Sequence, residues 1–191
     1  MLIESEFEVA APLEQVWRHM QEVPRIAPCL PGAELTDVNV NGDVYKGRVT
    51  TKLGSVPLKF SGTAQIVLRD EAAKRIVMNA SGSAEKGMGQ ATMSVTSTLV
   101  PSGTGTRVKV AQDLQLSGAA ARLGRSAVQD VTSVIMKSFA KCIADDIGRA
   151  ARGEASVQRV VVPVNFFSIA MQATMTALKR FFGRIFVWGK S

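Results

Sequence analysis

The sequence predicts an α+β domain in which one curved antiparallel sheet of seven strands wraps around a long C-terminal helix. Alternation of apolar and polar residues runs through most of the first 116 residues, and turn residues interrupt it at intervals of about ten. A single long helical pattern then covers residues 118–151. With 191 residues, the chain can form one domain with its own hydrophobic core, followed by a shorter C-terminal segment.

The N-terminal residues predict one strand followed by short helices. In residues 2–10 apolar side chains alternate with glutamates, which is typical of a half-buried strand. Pro12 then suits the first turn of a helix, whose apolar side contains Val16, Trp17 and Met20. Three further prolines break the next stretch into short turns that end at Gly32.

Six further strands are predicted after Gly32. Their turn signals are Asn41-Gly42, Gly54-Ser55, Asp70-Glu71, Lys86-Gly87 and Ser102-Gly103. The inward positions of these strands carry no charged residue, and many are Gly, Ala or Ser; the longest segment contributes Leu58, Phe60, Gly62, Ala64, Ile66 and Leu68. Small inward residues favour an apolar cavity between sheet and helix. The alternative is a solid core behind glycines that mark β-bulges and let the sheet curl.

The predicted C-terminal helix is amphipathic. The side expected to face the sheet carries Gly124, Val128, Val131, Ile135, Phe139 and Cys142. The opposite side carries Arg122, Arg125, Gln129, Ser133, Lys137 and Lys141.

The formal net charge of +7 is concentrated at the C-terminal end. Residues 1–156 carry 18 Lys and Arg against 16 acidic residues, whereas residues 157–191 carry five basic residues and no acidic one. Six of the eleven aromatic residues also lie in that last segment. Because a nucleic-acid binder clusters basic residues on its folded domain, nucleic acid is not an expected partner.

Residues 149–158 are predicted to be a linker, and residues 159–191 a cationic amphipathic tail that binds a membrane or a partner. As a helix, the tail presents an apolar stripe opposite basic side chains, the pattern of a helix lying in a membrane interface. The predicted membrane-binding residues are Phe167, Met171, Leu178, Lys179, Arg180, Phe181, Phe182, Arg184, Ile185 and Trp188. In one alternative, the apolar stripe packs on the protein itself or on a partner. In the other, the uncharged run of residues 160–178 spans the bilayer.

Residues suited to catalysis or metal binding are few. Cys29 and Cys142 form no C-x-x-C motif, so no zinc site is expected; two buried thiols are favoured over a single disulfide. The only histidine, His19, is expected at the surface or as a helix cap. Without a nucleophile elbow, a P-loop or an inward carboxylate pair, the sequence favours a protein that is not an enzyme. An inward-facing His19 or Glu85 would favour a small-molecule enzyme instead.

The N-terminal residues lack the basic and apolar regions of a secretory signal, which predicts a cytoplasmic location.

Seven short motifs follow one another along residues 1–148. They are PLEQVW at 12–17, CLPG at 29–32, YKG at 45–47, GSV at 54–56, FSGTA at 60–64, GSAEKGMGQA at 82–91 and GAAARLG at 118–124. This ordered set resembles the G-subunit family of carbon monoxide dehydrogenase. That family is part of the START-like helix-grip (SRPBCC) superfamily, whose domains enclose hydrophobic ligands.

The resemblance implies a non-catalytic accessory protein that attaches a molybdenum carbon monoxide dehydrogenase, or a related enzyme, to the cytoplasmic membrane. The protein would then be peripheral on the cytoplasmic face. Because such an enzyme passes electrons to the respiratory chain, the expected ligand is an isoprenoid quinone, either menaquinone or ubiquinone, and no covalent cofactor is expected. A membrane adaptor without a ligand and a general lipid carrier are the alternatives.

The residues expected to line the ligand pocket come from the first helix, the sheet and the long helix. They are Trp17, Leu30, Tyr45, Val49, Phe60, Met78, Met93, Gln112, Leu114, Val128, Ile135 and Phe139. Tyr45 or Gln112 is expected to donate a hydrogen bond to a carbonyl oxygen of the ligand.

Overall fold

The computed structural model describes residues 1–39, 43–53, 56–122 and 124–154. Within these ranges the chain forms seven strands: β1 (Leu2–Val9), β2 (Ala33–Asn39), β3 (Val44–Leu53), β4 (Val56–Asp70), β5 (Arg75–Ala84), β6 (Gln90–Ser102) and β7 (Gly105–Leu116). The helices are α1 (Leu13–Gln21), α2 (Val23–Ile26) and α3 (Arg125–Ala151), and short 3-10 turns occupy Ala27–Cys29, Glu85–Gly87 and Gly118–Arg122. This order confirms the predicted α+β architecture; the predicted tail helix lies outside the described residues.

The seven strands form one antiparallel sheet in the order β1-β7-β6-β5-β4-β3-β2. Strands β2 to β7 therefore pair with their neighbours in sequence, as the turn signals predict. The sheet curls around α3, whose predicted polar side is exposed at Arg125, Gln129, Ser133, Lys137 and Lys141. The helix continues to Ala151, so the first three residues of the predicted linker are helical.

The strand register places small inward residues side by side across the sheet. Gly47 pairs with Gly62, Gly62 with Gly82, and Gly82 with Ala91. The next inward row, two residues along each strand, is Tyr45, Ala64, Ala80, Met93 and Leu114. The central strands therefore have little side-chain volume above the middle of the concave face.

The predicted inward position of Leu68 is wrong. The register between β4 and β5 shifts after Ile66, because Ile66 pairs with Met78 whereas Leu68 pairs with Val77. A shift of one residue turns the following side chains to the other face of the sheet. Leu68 is accordingly 41% exposed, while Ile66 is buried.

In the hydrophobic core, α1, the segment that follows it and the C-terminal half of α3 pack on side chains from β1 and from β3 to β7. Val9, Val16, Val108 and Ile143 are almost completely buried there. The rings of Phe7 and Phe139 meet edge to face, with 5.9 Å between their centres.

Three residues, Cys29, Cys142 and His19, differ from their predicted environments. Cys29 and Cys142 are bonded as a disulfide, so the expectation of two free thiols is wrong. The turn after α2 packs against α3 and leaves 5.4 Å between the two Cα atoms, a separation that a disulfide spans. His19 is buried at 4% exposure rather than lying at the surface, because it sits on α1 next to the end of α3.

Candidate ligand-binding cavity

An apolar cavity of about 310 Å³ lies against the concave face of the sheet. Its opposite wall is residues 23–30, comprising α2, the 3-10 turn and Leu30, which we call the strap. Four strap residues line the cavity: Val23, Ile26, Ala27 and Leu30. The sheet contributes Ala33, Leu35, Tyr45, Gly47, Val49, Phe60, Gly62, Ala64, Met78, Ala80, Gly82, Ala91, Met93 and Leu114, together with the polar or charged residues Glu34, Arg48, Thr63 and Ser81. A cavity, rather than a solid core, therefore lies above the small inward residues.

The same glycines also allow the sheet to curl. A Cβ atom on Gly62 would lie 1.9 Å from the carbonyl oxygen of Ser81, and one on Gly47 would lie 2.7 Å from that of Glu34. Adjacent strands approach these positions too closely for any side chain. The cavity and the curl, which sequence reasoning treated as alternatives, are thus produced together.

Seven of the twelve predicted pocket residues line this cavity: Leu30, Tyr45, Val49, Phe60, Met78, Met93 and Leu114. The other five lie elsewhere: Trp17, Gln112, Val128, Ile135 and Phe139. Phe139 packs on Phe7 of β1, and Gln112 lies beside Met136 of α3 at 3.9 Å. The prediction assumed that α3 covers the centre of the sheet, whereas α3 packs against β1 and, where its side chains are described, does not line the cavity.

Sequence reasoning missed three strap residues, Val23, Ile26 and Ala27. The signal was present, because positions 23, 26, 27 and 30 are apolar at the spacing of one helical face. The prolines in this stretch favoured its interpretation as turns alone.

Trp17 fastens α1 to the turn between β4 and β5. Its indole N–H donates to Oε2 of Glu71 at 2.5 Å, and Nζ of Lys74 lies 5.3 Å from the centre of its ring. Lys74 also pairs with Glu71 and, at 2.9 Å, with Glu14. The hydrogen bond from Lys74, followed by that from Trp17, lowers the pKa of Glu71. We call Trp17, Glu14, Glu71 and Lys74 the clasp.

The polar groups nearest the cavity have partners within the protein. The Tyr45 hydroxyl donates to Oδ1 of Asp43 at 3.4 Å. Arg69 donates to both carboxylate oxygens of Asp43 and so holds the pKa of Asp43 below its usual value. Burial, and then the Asp43 carboxylate, raises the pKa of Tyr45, so its hydroxyl keeps its proton. The predicted donor at Tyr45 is therefore directed towards Asp43.

Charged groups occur at the cavity rim. Glu34 and Arg48 both line it and approach each other to 3.5 Å, with about half of each side chain exposed. Neither His19 nor Glu85 is among the lining residues, and Glu85 is exposed in the turn after β5. An inward-facing His19 or Glu85 would have favoured a small-molecule enzyme, and neither residue lines the cavity.

One group of potential metal ligands is present among the described residues. One ligand atom each from Cys29, Cys142 and Asp146 lies within 4.8 Å of the other two. The two sulfur atoms are bonded to each other here, so they are not thiolate ligands. Asp146 is buried at 7% exposure, and sequence reasoning did not single it out.

The ten predicted membrane-binding residues, between Phe167 and Trp188, lie outside the described residues. In the part of the chain that is described, no helix has both the length and the apolar character needed to cross a bilayer.

Comparison with known families and structures identifies the fold. The family profile for the carbon monoxide dehydrogenase G subunit (CoxG) matches residues 5–148. A conserved protein from Geobacillus kaustophilus superimposes with a TM-score of 0.69 at 17% identity, over 78% of this chain and 97% of that one. No curated protein sequence matches the chain.

Two enzymes also share the fold. The ZhuI aromatase/cyclase from Streptomyces sp. R1128 gives a TM-score of 0.57 at 16% identity, over 81% of this chain and 99% of that one. A norcoclaurine synthase point mutant from Thalictrum flavum gives 0.54 at 18% identity, over 79% and 96%. These likenesses confirm the predicted helix-grip fold; at such identities they establish the fold alone.

Proposed function

The chain belongs to the CoxG family, the G-subunit family of carbon monoxide dehydrogenase, and from this premise we propose that it carries an isoprenoid quinone for a membrane-recruited dehydrogenase. In this proposal the cavity holds the quinone ring, and the C-terminal tail brings the protein and a molybdenum carbon monoxide dehydrogenase, or a related enzyme, to the cytoplasmic face of the membrane. The observation that carries the proposal is the apolar cavity between the sheet and the strap.

The shape and chemistry of the cavity suit part of such a ligand. A cavity of about 310 Å³ has room for a quinone ring. The isoprenoid chain would leave past the rim at Glu34 and Arg48. Apolar lining stabilises the bound part by roughly 25 cal/mol for each Å² removed from water.

A cavity-filling substitution tests ligand binding. Ala64→Leu places a larger side chain on the cavity floor, so we expect at least a tenfold loss of co-purified quinone, measured by solvent extraction and mass spectrometry. Ala111→Leu makes the same change on the outer face of β7 and should leave the quinone content unaltered. Recovery of phospholipid alone would favour a general lipid carrier, and recovery of nothing from the wild type would favour an adaptor without a ligand.

The proposed recruitment rests on the composition of the tail. Five basic residues without an acidic one, together with six aromatic residues, suit an anionic membrane surface. Deleting residues 157–191 should leave a soluble protein that no longer sediments with vesicles containing anionic lipid. If the truncated protein sediments as fully as the whole chain, the tail is not the membrane-binding element.

A further inference from the structure

We propose that the Cys29–Cys142 disulfide is a redox-sensitive lock on the cavity wall. In the oxidised protein the bond ties the strap to α3. Reduction by a dithiol releases the strap, and the cavity then exchanges its ligand faster. The ligand-exchange part of this inference rests on the proposed function, namely that the cavity binds an apolar ligand.

The position of the disulfide connects it to the cavity. Cys29 ends the 3-10 turn of the strap, and its neighbour Leu30 lines the cavity, as do Val23, Ile26 and Ala27. Cys142 lies on α3, 113 residues further along the chain. A single covalent bond thus joins the cavity wall to the long helix.

Apart from the disulfide, the strap is held by backbone hydrogen bonds and by side-chain packing, since Val23 and Ile26 belong to the hydrophobic core. Its backbone hydrogen bonds are short in range: the N–H groups of Arg25 and Ile26 donate to Glu22, and that of Leu30 donates to Ala27. Pro24 and Pro28 have no N–H to donate. Among the described residues the strap adds no strand to the sheet. When the disulfide is broken, side-chain packing therefore becomes its main attachment.

The two cysteines differ in their exposure to a reductant, which determines which sulfur atom is attacked. Cys142 is half-buried and Cys29 is 3% exposed, so a dithiol attacks Sγ of Cys142 as its thiolate. The S–S bond breaks, and Cys29 leaves as a thiolate that takes up a proton. The second thiol of the reagent then displaces Cys142, which also takes up a proton, and the reagent departs as a cyclic disulfide. Two electrons and two protons are transferred in total.

Asp146 tunes this reaction as a positioning residue. Its Oδ2 lies 3.7 Å from Sγ of Cys29, which has no proton to donate in the disulfide. A carboxylate at this distance disfavours the negative charge that develops on the departing sulfur, and so slows reduction. After reduction the Cys29 thiol can donate to Asp146.

In a reducing compartment disulfides are rare and usually redox-sensing, which agrees with a reversible bond.

Hydrogen exchange on the full chain tests the lock without any ligand. Treatment with dithiothreitol should raise the exchange of the strap amides at least tenfold more than that of the amides in β5 and β6. Cys142→Ala should show the fast exchange without reductant. Equal protection of the strap in oxidised, reduced and Cys142→Ala proteins would overturn the proposal.

Ligand release separates the lock from the proposed function. The fluorescent probe N-phenyl-1-naphthylamine, loaded before reduction, should leave the reduced protein about tenfold faster than the oxidised one. Equal release rates would overturn the lock. If neither form takes up the probe, ligand binding fails, whereas the exchange experiment still decides whether the disulfide holds the strap.

A matched pair of variants tests the role of Asp146. Asp146→Asn should make reduction by dithiothreitol roughly threefold faster. The rate is measured by alkylating the released thiols and counting them by mass spectrometry. Asp145→Asn alters the exposed neighbour and should leave the rate unchanged. Equal rates in the two variants would refute the role assigned to Asp146.

Discussion

At the scale of single residues, Gly62 shows how a missing side chain determines a binding site. The backbone of β5 approaches so closely that a Cβ atom on Gly62 would overlap the Ser81 carbonyl. Gly82, its partner across β4 and β5, has more room, since its Cβ would lie 3.3 Å from the Ser61 oxygen. The two glycines face the same cavity, but only Gly62 is excluded from carrying a side chain by its backbone neighbours.

This difference predicts unequal effects of the same substitution. Gly62→Ala should lower the free energy of unfolding by about 1–3 kcal/mol, because the strands must move apart. Gly82→Ala, the matched control, should change it by less than about 1 kcal/mol. Urea unfolding followed by circular dichroism measures both values. Equal destabilisation by the two substitutions would contradict the closer approach of the neighbouring backbone at Gly62.

At the scale of elements, three attachments hold the helices to the sheet. The core packs α1 and α3 on β1 and β7, the clasp joins α1 to the turn between β4 and β5, and the disulfide joins the strap to α3. The clasp contains ionised groups at the surface, so its contribution to the stability of the fold depends on pH. Because its hydrogen bonds lower the pKa of Glu71 below the ordinary value of 4.5, the clasp stabilises the fold above that pH.

Acid should therefore weaken the clasp. As the pH falls below about 4.5 and through the folded pKa of Glu71, the carboxylate is protonated and its stabilising effect is lost. Glu71→Gln should lower the melting temperature at pH 7 and reduce its fall between pH 7 and pH 3. Glu85→Gln changes an exposed glutamate outside the clasp and should behave like the wild type. An unchanged acid dependence in Glu71→Gln would assign the acid sensitivity to other carboxylates.

At the scale of the whole molecule, residues 1–156 are nearly neutral, whereas residues 157–191 are cationic and rich in aromatic residues. The domain is closed on itself by a disulfide that joins residues separated by 113 positions. A cross-link over such a distance removes much conformational freedom from the unfolded chain. The bond therefore contributes to global stability as well as holding the strap.

Reduction should lower the free energy of unfolding by roughly 2–5 kcal/mol, the range for a long loop. Urea unfolding of the whole chain with and without dithiothreitol measures the change. Cys142→Ala should unfold at a lower urea concentration than the oxidised wild type and should not respond to dithiothreitol. A wild type that is equally insensitive to reductant would show that the disulfide does not form in solution.

Much of the fold follows from local patterns in the sequence. Alternation and helical spacing predicted the order of the elements along the chain, the long helix and most inward-facing residues, because these patterns report which side of its own element a residue occupies. Seven of the twelve predicted pocket residues line the cavity for this reason. Leu68 departs from its predicted side because a bulge at Ile66 interrupts the alternation.

By itself, the sequence determined the order and type of the elements, the small inward residues and the charge of the tail. Only the tertiary structure decided that the strap lines the cavity, that Cys29 meets Cys142, and that Asp146 lies beside them. The physical reason is that periodicity describes neighbours a few residues apart. Contacts between distant segments depend instead on how whole elements pack, and no local pattern records that arrangement.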